Sequence, residues 1–316
     1  MLTLDISGET LVQSDRSGLL DLYRRRGVRT FATLFDLLPV RMPHVFPPRA
    51  DEGHTRWLEC VANMHGAVCI SQSVADDMRE WLRDRGHPAA ERFQLFVTHL
   101  GADLARAPTG GFSGRESAQA VAAMAERPTF LMVGTIEPRK GYAQTLEAFE
   151  LLWARGVEVN LVIVGREGWR GLPDDQRRDI PSTTRALLGH VEKGHRLFWL
   201  SDASDGDLEQ AYRSATCLLA ASYGEGFGLP LIEAAEHGLA LLVRDIPVFR
   251  EVARASASYF TAATPEAMAD AVAEWLDLYE RGRYPRSLSL RRTSWERMSR
   301  ELLTVLGFEA GDHRAA

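Results

Sequence analysis

The 316-residue sequence lacks several features that would place it outside the soluble enzymes. No apolar run approaches the length of a transmembrane helix, and the first five residues have neither the basic region nor the apolar core of a signal peptide. There are only three cysteines, at positions 60, 69 and 217, an odd number without metal-ligand spacing. We therefore expect reduced core thiols in a soluble, cytoplasmic protein, with contact at a membrane surface left open. The net charge of −6 argues against a nucleic-acid partner.

Common catalytic and nucleotide-binding signatures are also missing. No G-x-G-x-x-G follows the first strand pattern of the second half, and no G-K-[ST] occurs in the chain. No Ser-His-Asp or Cys-His arrangement is recognisable. Asp202, Asp205 and Asp207 could be imagined as metal ligands, but their segment is typical of a loop followed by a helix N-cap. We expect no metal there.

Strand and helix patterns alternate along the chain, which predicts an α/β fold with parallel sheets. In the first part we expect strands over 2–6, 29–34, 66–71 and 94–100, and helices over 19–27, 54–64 and 74–85. In the second part we expect strands near 129–134, 160–165, 196–200, 216–221 and 240–244, and helices near 141–155, 182–192, 205–214, 229–237 and 265–280. A glycine-bearing and then alanine-rich stretch over 108–127 is interpreted as the domain linker.

This alternation divides the chain into three units. We expect residues 1–112 to form one Rossmann-like domain, residues 113–286 a second, and residues 287–316 a C-terminal amphipathic helix and tail. Doubly wound sheets bind ligands at the carboxyl ends of their strands. The turns that follow the strands of the second domain are therefore the first places to look for a site.

The most informative turn lies within residues 222–234, S-Y-G-E-G-F-G-L-P-L-I-E-A. A strand pattern, a glycine turn and a helix start present free backbone N–H groups and a positive dipole end to an anion. Gly226 and Gly228 lack a Cβ, so a phosphate or sugar could lie against the backbone there. Glu225 and Glu233 bracket the turn. A plain strand-to-helix connection is the alternative.

A second turn carries two adjacent cations. Gly134 follows the strand pattern at 130–133, and Arg139 and Lys140 come just before the next helix pattern. Arginine offers a planar fork for phosphate oxygens and lysine a movable point charge, which together suit a diphosphate. A solvated surface pair is the alternative. Gly165, after the following strand pattern, would let a ligand pass close to the backbone.

Together, E-P-R-K-G at 137–141 and E-G-F-G-L-P-L-I-E-A at 225–234 resemble the retaining, nucleotide-sugar-dependent glycosyltransferases of the GT-B fold, family 4 type. The segments F-D-L-L-P at 35–39, C-I-S at 69–71, L-G-A-D at 100–103 and V-G-R-E-G-W at 164–169 make the chain similar to bacterial mannosyl- and rhamnosyltransferases of surface polysaccharides such as lipopolysaccharide. The resemblance implies transfer of a hexose, with mannose or rhamnose favoured. The donor would be a nucleotide-diphosphate sugar, with a GDP-sugar favoured, and the acceptor a glycan or lipid-linked glycan.

The resemblance implies that residues 1–112 are a partial acceptor-side domain and that residues 113–286 are the nucleotide-sugar donor-binding domain. It also assigns roles to residues. It implies that Lys140 binds the donor diphosphate, that Glu233 binds the ribose hydroxyls and that Glu225 faces the transferred sugar. The catalytic candidates are Glu225, Asp36 and Lys140, and the further donor-binding candidates are Gly134, Thr135, Arg139, Gly165, Gly226, Phe227, Gly228, Leu229 and Glu233. It implies no metal and no separate cofactor, because cations and a helix N-terminus neutralise the leaving diphosphate.

The chain departs from the family pattern in three places. Thr135 stands where many relatives have an arginine, and Phe35 stands where many have a histidine, which leaves Asp36 as the polar group near the reacting centre. The family's first strands are not found ahead of Met1. We therefore expect an incomplete first sheet with an exposed edge strand. Another copy of the chain should cover this edge, or the protein should be poorly soluble. The alternatives are a donor-binding but transfer-deficient subunit or fragment, and a nucleotide-sugar epimerase or phosphorylase of the same fold.

Overall fold

The computed structural model describes residues 1–3, 8–102 and 114–307. A first parallel sheet has the strand order β1-β2-β3-β4. Its strands are β1 (Leu2–Thr3), β2 (Phe31–Leu34), β3 (Gly66–Cys69) and β4 (Gln94–Val97). The helices of this part are α1 (Gly8–Arg16), α2 (Leu19–Arg25), α3 (Leu38–Arg41), α4 (Ala50–Ala62) and α5 (Gln72–Asp84).

A second parallel sheet has six strands in the order β10-β9-β8-β5-β6-β7. These are β5 (Thr129–Val133), β6 (Asn160–Val164), β7 (Leu197–Leu200), β8 (Cys217–Ala220), β9 (Ala240–Arg244) and β10 (Ser258–Phe260). The helices are α6 (Arg115–Glu126), α7 (Tyr142–Ala154), α8 (Ile180–Gly189), α9 (Asp205–Ser214), α10 (Leu229–Glu236), α11 (Pro247–Ala253), α12 (Pro265–Glu280) and α13 (Trp295–Val305). The strand order reverses between β5 and β8, which makes the space beyond these two strands the topological switch point.

The strands of the second sheet are covered on both faces, which explains their uninterrupted apolar sequences. On one face Phe130 packs edge-to-face against Phe149 and Trp275, with ring centroids 5.6 and 5.3 Å apart.

Side-chain caps define several helix starts. Ser204 and Asp207 form a reciprocal capping box at α9. This confirms that Asp207 belongs to a helix cap.

The expected α/β architecture of two parallel sheets is confirmed, and the first sheet is the smaller one. The ten strand and helix predictions for the second sheet all correspond to observed elements, although α11 and β10 were not predicted, and neither were α1 and α3 in the first part. Part of the predicted linker is wrong: residues 115–126 form α6, whose Ala120 and Met124 are buried in the core. Gly110 and Gly111 lie outside the described residues, as does most of the predicted strand at 2–6. All three cysteines are buried free thiols.

Within the described ranges, no helix is both long and apolar enough to cross a bilayer. The predicted C-terminal helix is present as α13, and it returns to the first sheet. Ala102 N–H donates to Thr293 O over 3.0 Å just before α13, and the Arg29 guanidinium donates to Leu306 O over 2.8 Å just after it. The last helix therefore ties the two sheets together.

A glutamate of the second domain caps a helix of the first. The carboxylate of Glu251 on α11 accepts the backbone N–H groups of Gln72 and Ser73 over 2.7 and 3.0 Å, at the start of α5. It also contacts His99 Nε2 at 2.7 Å. Burial raises the pKa of Glu251, but the hydrogen bonds from His99 and the two amides outweigh burial and hold the pKa below its usual value. The ionised carboxylate thus stabilises the domain contact.

We predict that Glu251→Gln lowers the free energy of unfolding by about 1.5–3 kcal/mol at pH 7, because hydrogen bonds to a charged group are lost. Since the folded-state pKa lies below the unfolded value, this stabilisation is complete above about pH 4.3 and is lost as the pH falls through the folded-state pKa. Urea denaturation at several pH values measures it. Glu296→Gln, at an exposed glutamate on α13, is the matched control. A gap between wild type and Glu251→Gln that stays constant into acid would contradict the assignment.

Candidate functional site

Two of the predicted turns meet at the switch point. The turn after β5 contains Arg139 and Lys140, and the turn after β8 contains Glu225. The Tyr223 N–H donates to Arg139 O over 2.8 Å and joins the two turns through their backbones. Gly141 has a φ of +76°, and a Cβ there would lie 2.7 Å from Ala221 O, so glycine is needed for this close approach.

Glu225 is the centre of a buried ion cluster. Its carboxylate contacts Lys140 Nζ, and it pairs with Arg139 Nη1 at 2.8 Å. Ser222 Oγ donates to it over 2.7 Å, while Glu137 holds the other edge of Arg139 at 2.9 Å. The Glu225 and Lys140 side chains are only 10% and 13% exposed. Two predicted cations therefore share one predicted carboxylate.

The electrostatics keep Glu225 ionised. Burial raises the pKa of this carboxyl, but the charges of Lys140 and Arg139 and the hydrogen bonds outweigh burial and hold the pKa below its usual value. A cavity of about 20 Å³, enough for one water, lies among Lys140, Tyr142 and Glu225. The side chains of the cluster are thus largely shielded from solvent, which strengthens each of its charge interactions.

The glycines predicted at the strand ends allow close backbone approach. Gly134 has a φ of +136°, and a Cβ on Gly165 would lie only 1.9 Å from Gly134 O. Tyr142 OH donates to Gly134 O over 2.6 Å, and burial raises the pKa of this phenol, so it remains a donor. Thr135 follows, half-buried, on the same edge. Gly134, Thr135 and Gly165 are therefore brought together beside the ion cluster.

The predicted glycine turn ends in a helix start. Gly228 adopts a left-handed conformation with φ +98° as the N-cap of α10, and Leu229 is the first helical residue. Within the described part of the chain, the backbone N–H groups of Phe227, Gly228 and Leu229 have no hydrogen-bond acceptor. Phe227 itself is buried. The turn presents the unpaired donors that an anion requires.

Glu233 stands apart from the ion cluster. It is the fifth residue of α10 and accepts a hydrogen bond from Tyr212 OH over 2.6 Å. Burial raises the pKa of Glu233 although the Tyr212 hydrogen bond opposes this. The structure therefore places it farther along the same helix, where it can bind a different part of an extended ligand.

Asp36 approaches from the first domain. It follows β2, its Oδ1 accepts the Leu38 N–H over 3.0 Å, and its Cβ would lie 3.3 Å from a Cβ on Gly226. His54 Nε2 lies 3.1 Å from the backbone oxygen of Asp36, and burial lowers the pKa of this imidazole although Asp36 opposes the effect. An imidazole is thus present beside Asp36 although Phe35 occupies the position where one was expected. No sequence pattern pointed to His54, which lies 18 residues away along the chain.

Comparison with known proteins assigns the chain to a family. A family model described as "Glycosyl transferases group 1" matches residues 115–287, which contain all six strands of the second sheet and both turns of the site. The chain belongs to this family. The predicted resemblance is therefore confirmed.

Individual relatives agree with the family assignment. The serotype-specific mannosyltransferase WbdA of Escherichia coli is 41% identical over 292 residues, which cover 91% of this chain and 34% of that protein. A phosphatidyl-myo-inositol mannosyltransferase of Mycolicibacterium smegmatis is 33% identical over 52% of this chain and 39% of that protein. The chain thus spans about a third of the length of its WbdA relatives.

Solved structures show the same fold at low sequence identity. Anabaena Alr3699/HepE, solved in complex with UDP and glucose, has a TM-score of 0.67 at 14% identity, over 95% of this chain and 76% of that chain. Sucrose-phosphate synthase of Thermosynechococcus elongatus has a TM-score of 0.63 at 19% identity, over 92% of this chain and 70% of that chain. The GT-B architecture expected from the sequence is confirmed.

A buried arginine that the sequence patterns did not indicate supports the candidate site. Arg244, the last residue of β9, donates to Ala221 O over 2.9 Å, to Ala262 O over 2.7 Å and to the Gln144 side chain over 2.6 Å. The Tyr223 ring lies over its guanidinium at 4.3 Å. Within the described residues, no acidic side chain pairs with Arg244. It fixes the base of the Glu225 turn through neutral acceptors.

We predict that Arg244→Lys lowers the free energy of unfolding by about 1–3 kcal/mol, because an ammonium cannot reach the separated carbonyl oxygens and leaves a buried acceptor unsatisfied. Chemical denaturation measures the loss. Arg250→Lys, at an exposed arginine six residues later, is the matched control and should change stability by less than about 0.5 kcal/mol. Equal effects of the two substitutions would show that Arg244 does not hold the turn.

Proposed function

We propose that this chain transfers a hexose, with mannose favoured over rhamnose, from a nucleotide-diphosphate sugar to a growing cell-surface glycan. The observation that carries the proposal is the cluster of Lys140, Arg139 and Glu225 beside the free N–H groups at the start of α10. Relatives named as mannosyltransferases support the sugar, including the O-antigen chain mannosyltransferase B of Escherichia coli, 32% identical over 39% of this chain and 30% of that protein. A GDP-sugar is the favoured donor.

The ion cluster suggests how the donor is received. In the free protein Glu225 pairs with both Lys140 and Arg139, and Glu137 supplies a second negative charge to Arg139. An arriving diphosphate competes for the same two cations and for the N–H groups of α10. Glu225 is then released to accept hydrogen bonds from hydroxyls of the transferred sugar. The carboxylate thus keeps the cations in place until the donor replaces it.

Glu233 is proposed to bind the ribose of the donor, because a carboxylate can accept both hydrogens of a vicinal diol at about 1.5–3 kcal/mol for each charged hydrogen bond. Its position along α10 separates it from the diphosphate, as an extended nucleotide requires. Tyr212 orients the carboxylate. This site needs the ionised form of Glu233.

The transfer itself is proposed to retain configuration and to proceed without a metal. The acceptor hydroxyl attacks the anomeric carbon on the face that the diphosphate leaves, and a departing phosphate oxygen takes the hydroxyl proton. Lys140, Arg139 and the α10 N-terminus stabilise the charge that develops on the diphosphate. Asp36, with His54 behind it, lies across the Gly226 turn, where an acceptor bound by the first domain would enter.

A second candidate is a subunit that binds the donor but transfers poorly. The observation in its favour is the first sheet, which within the described residues has four strands against six in the second. A nucleotide-sugar epimerase of the same fold is distinguished from the transferase and from the transfer-deficient subunit because its reaction needs no acceptor. The expected association with another copy of the chain stays a prediction.

We also propose that the end of α2 contacts the cytoplasmic face of a membrane. A lipid-linked acceptor held in that membrane would then reach the site. Arg25, Arg26 and Leu22 are exposed there, and Leu22 is 42% exposed. Arginines near an anionic surface contribute about 1 kcal/mol each. Arg25→Gln/Arg26→Gln should therefore weaken flotation with anionic vesicles about tenfold or more. Arg281→Gln/Arg283→Gln, at exposed arginines after α12, is the control, and equal binding by both double variants would reject this surface.

The donor site is tested by separating nucleotide binding from sugar transfer. We predict that Lys140→Ala weakens GDP binding ten- to a hundredfold, because one charge-assisted contact to the diphosphate is lost. Glu225→Gln should leave GDP affinity unchanged or raise it, because the carboxylate no longer competes for Lys140 and Arg139, while transfer from GDP-mannose falls strongly, since Glu225 positions the sugar. Calorimetry with GDP, UDP, ADP and dTDP, followed by a transfer assay, measures both.

Lys193→Ala is the matched control, because Lys193 is an exposed lysine remote from the turns. Unchanged nucleotide affinity in Lys140→Ala would remove the basis for the site. Nucleotide binding without transfer by the wild-type chain would favour the transfer-deficient subunit. Sugar conversion without an acceptor would favour the epimerase.

A further inference from the structure

A further polar groove, lined in part by Phe227, lies between the domains. Its volume is about 560 Å³, and its walls come from the end of β4, the end of α11 and the segment that leads into α13. His99 of the first domain and Phe227 of the second face each other across it, with ring centroids 5.3 Å apart. The groove is large enough for a small-molecule ligand.

Positive charge dominates this groove although the whole chain carries a net charge of −6. Four arginines line it, Arg254, Arg291, Arg292 and Arg297, against two glutamates. Both glutamates are already engaged: Glu251 accepts the amides of α5, and Glu301 pairs with Arg297 at 2.9 Å. Three arginines therefore remain to set the local potential.

Those three arginines have no acidic partner within the described residues. Arg292 is held in place by a hydrogen bond to Ala235 O over 3.1 Å, at the end of α10. Arg254 has a left-handed φ of +48°, and Tyr259 OH fixes its backbone oxygen over 2.6 Å. Such backbone strain is costly and is concentrated at ligand sites.

We infer that this groove binds a soluble, phosphate-bearing small molecule at a site separate from the donor turns. Arginine forks match phosphate oxygens in pairs, and the groove exceeds the size of a single inorganic ion. The bound anion would supply a counter-charge to Arg254, Arg291 and Arg292, which have no acidic partner in the part of the chain that the structure describes.

The position of the groove couples it to donor binding. An occupant would touch both domains, and it would lie against Phe227, whose neighbours Gly226 and Gly228 belong to the donor turn. Holding this wall in one position favours the closed arrangement in which the first domain meets that turn. Binding at the two sites is then mutually strengthening, as linkage requires.

The direct test is calorimetry with inorganic pyrophosphate and with mannose 6-phosphate on the Lys140→Ala chain, whose donor-diphosphate contact has been removed. We expect binding to persist, and Arg254→Gln/Arg291→Gln in the same background to weaken it at least tenfold. Arg281→Gln/Arg283→Gln is the matched control, because it removes two exposed arginines outside the groove. In the wild-type chain, the ligand that binds should raise GDP affinity, and the groove variant should abolish that increase.

Three results would overturn the inference. Equal losses in the groove variant and the control would show non-specific attraction. Loss of all phosphate binding in Lys140→Ala would show that the ligand occupies only the donor site. Binding to anionic vesicles without binding to either soluble phosphate would assign the arginines to a membrane surface instead. None of these measurements requires sugar transfer, so their outcome is independent of the proposed activity.

Discussion

The buried carboxylate of Glu225, shared between Lys140 and Arg139, is the interaction on which the rest of the site depends. Removing three charged groups from water is costly, and such clusters persist only when every partner is well placed. Arg244 and the Tyr223 amide fix one side of the cluster, and Gly141 allows the other side to approach. Much of the local structure therefore maintains two cations and one anion at the switch point of the sheet.

The same turn is also where the two domains meet. Gly226 lies against the backbone of Phe35, and Ser71 Oγ donates to Gly226 O over 2.8 Å. Glu251 joins α11 to the start of α5 through charge-assisted hydrogen bonds. Closure of the domains, placement of Asp36 and geometry of the donor turn are consequently linked, because one loop contributes to all three.

Sequence patterns predicted the elements whose causes are local. Apolar runs defined the strands of the second sheet, and the glycine turns identified Lys140 and Glu225. What the patterns could not show is that these two side chains pair, since they are 85 residues apart and meet only through the strand order. Arg244, His54 and Glu251 were missed for the same reason: each acts on a backbone group from a distant element. The alanine-rich part of the predicted linker became α6 because burial against the second sheet stabilises it.

The central claim is that Glu225 holds Lys140 until a donor diphosphate replaces it. A double-mutant cycle with Lys140→Met and Glu225→Gln, read out as free energy of unfolding with and without saturating GDP, tests it most directly. The account predicts a coupling energy of about 1–3 kcal/mol in the free protein that falls close to zero in the nucleotide complex. An equal coupling energy in the free protein and in the nucleotide complex would contradict it, because Glu225 would then remain paired with Lys140 when GDP is bound.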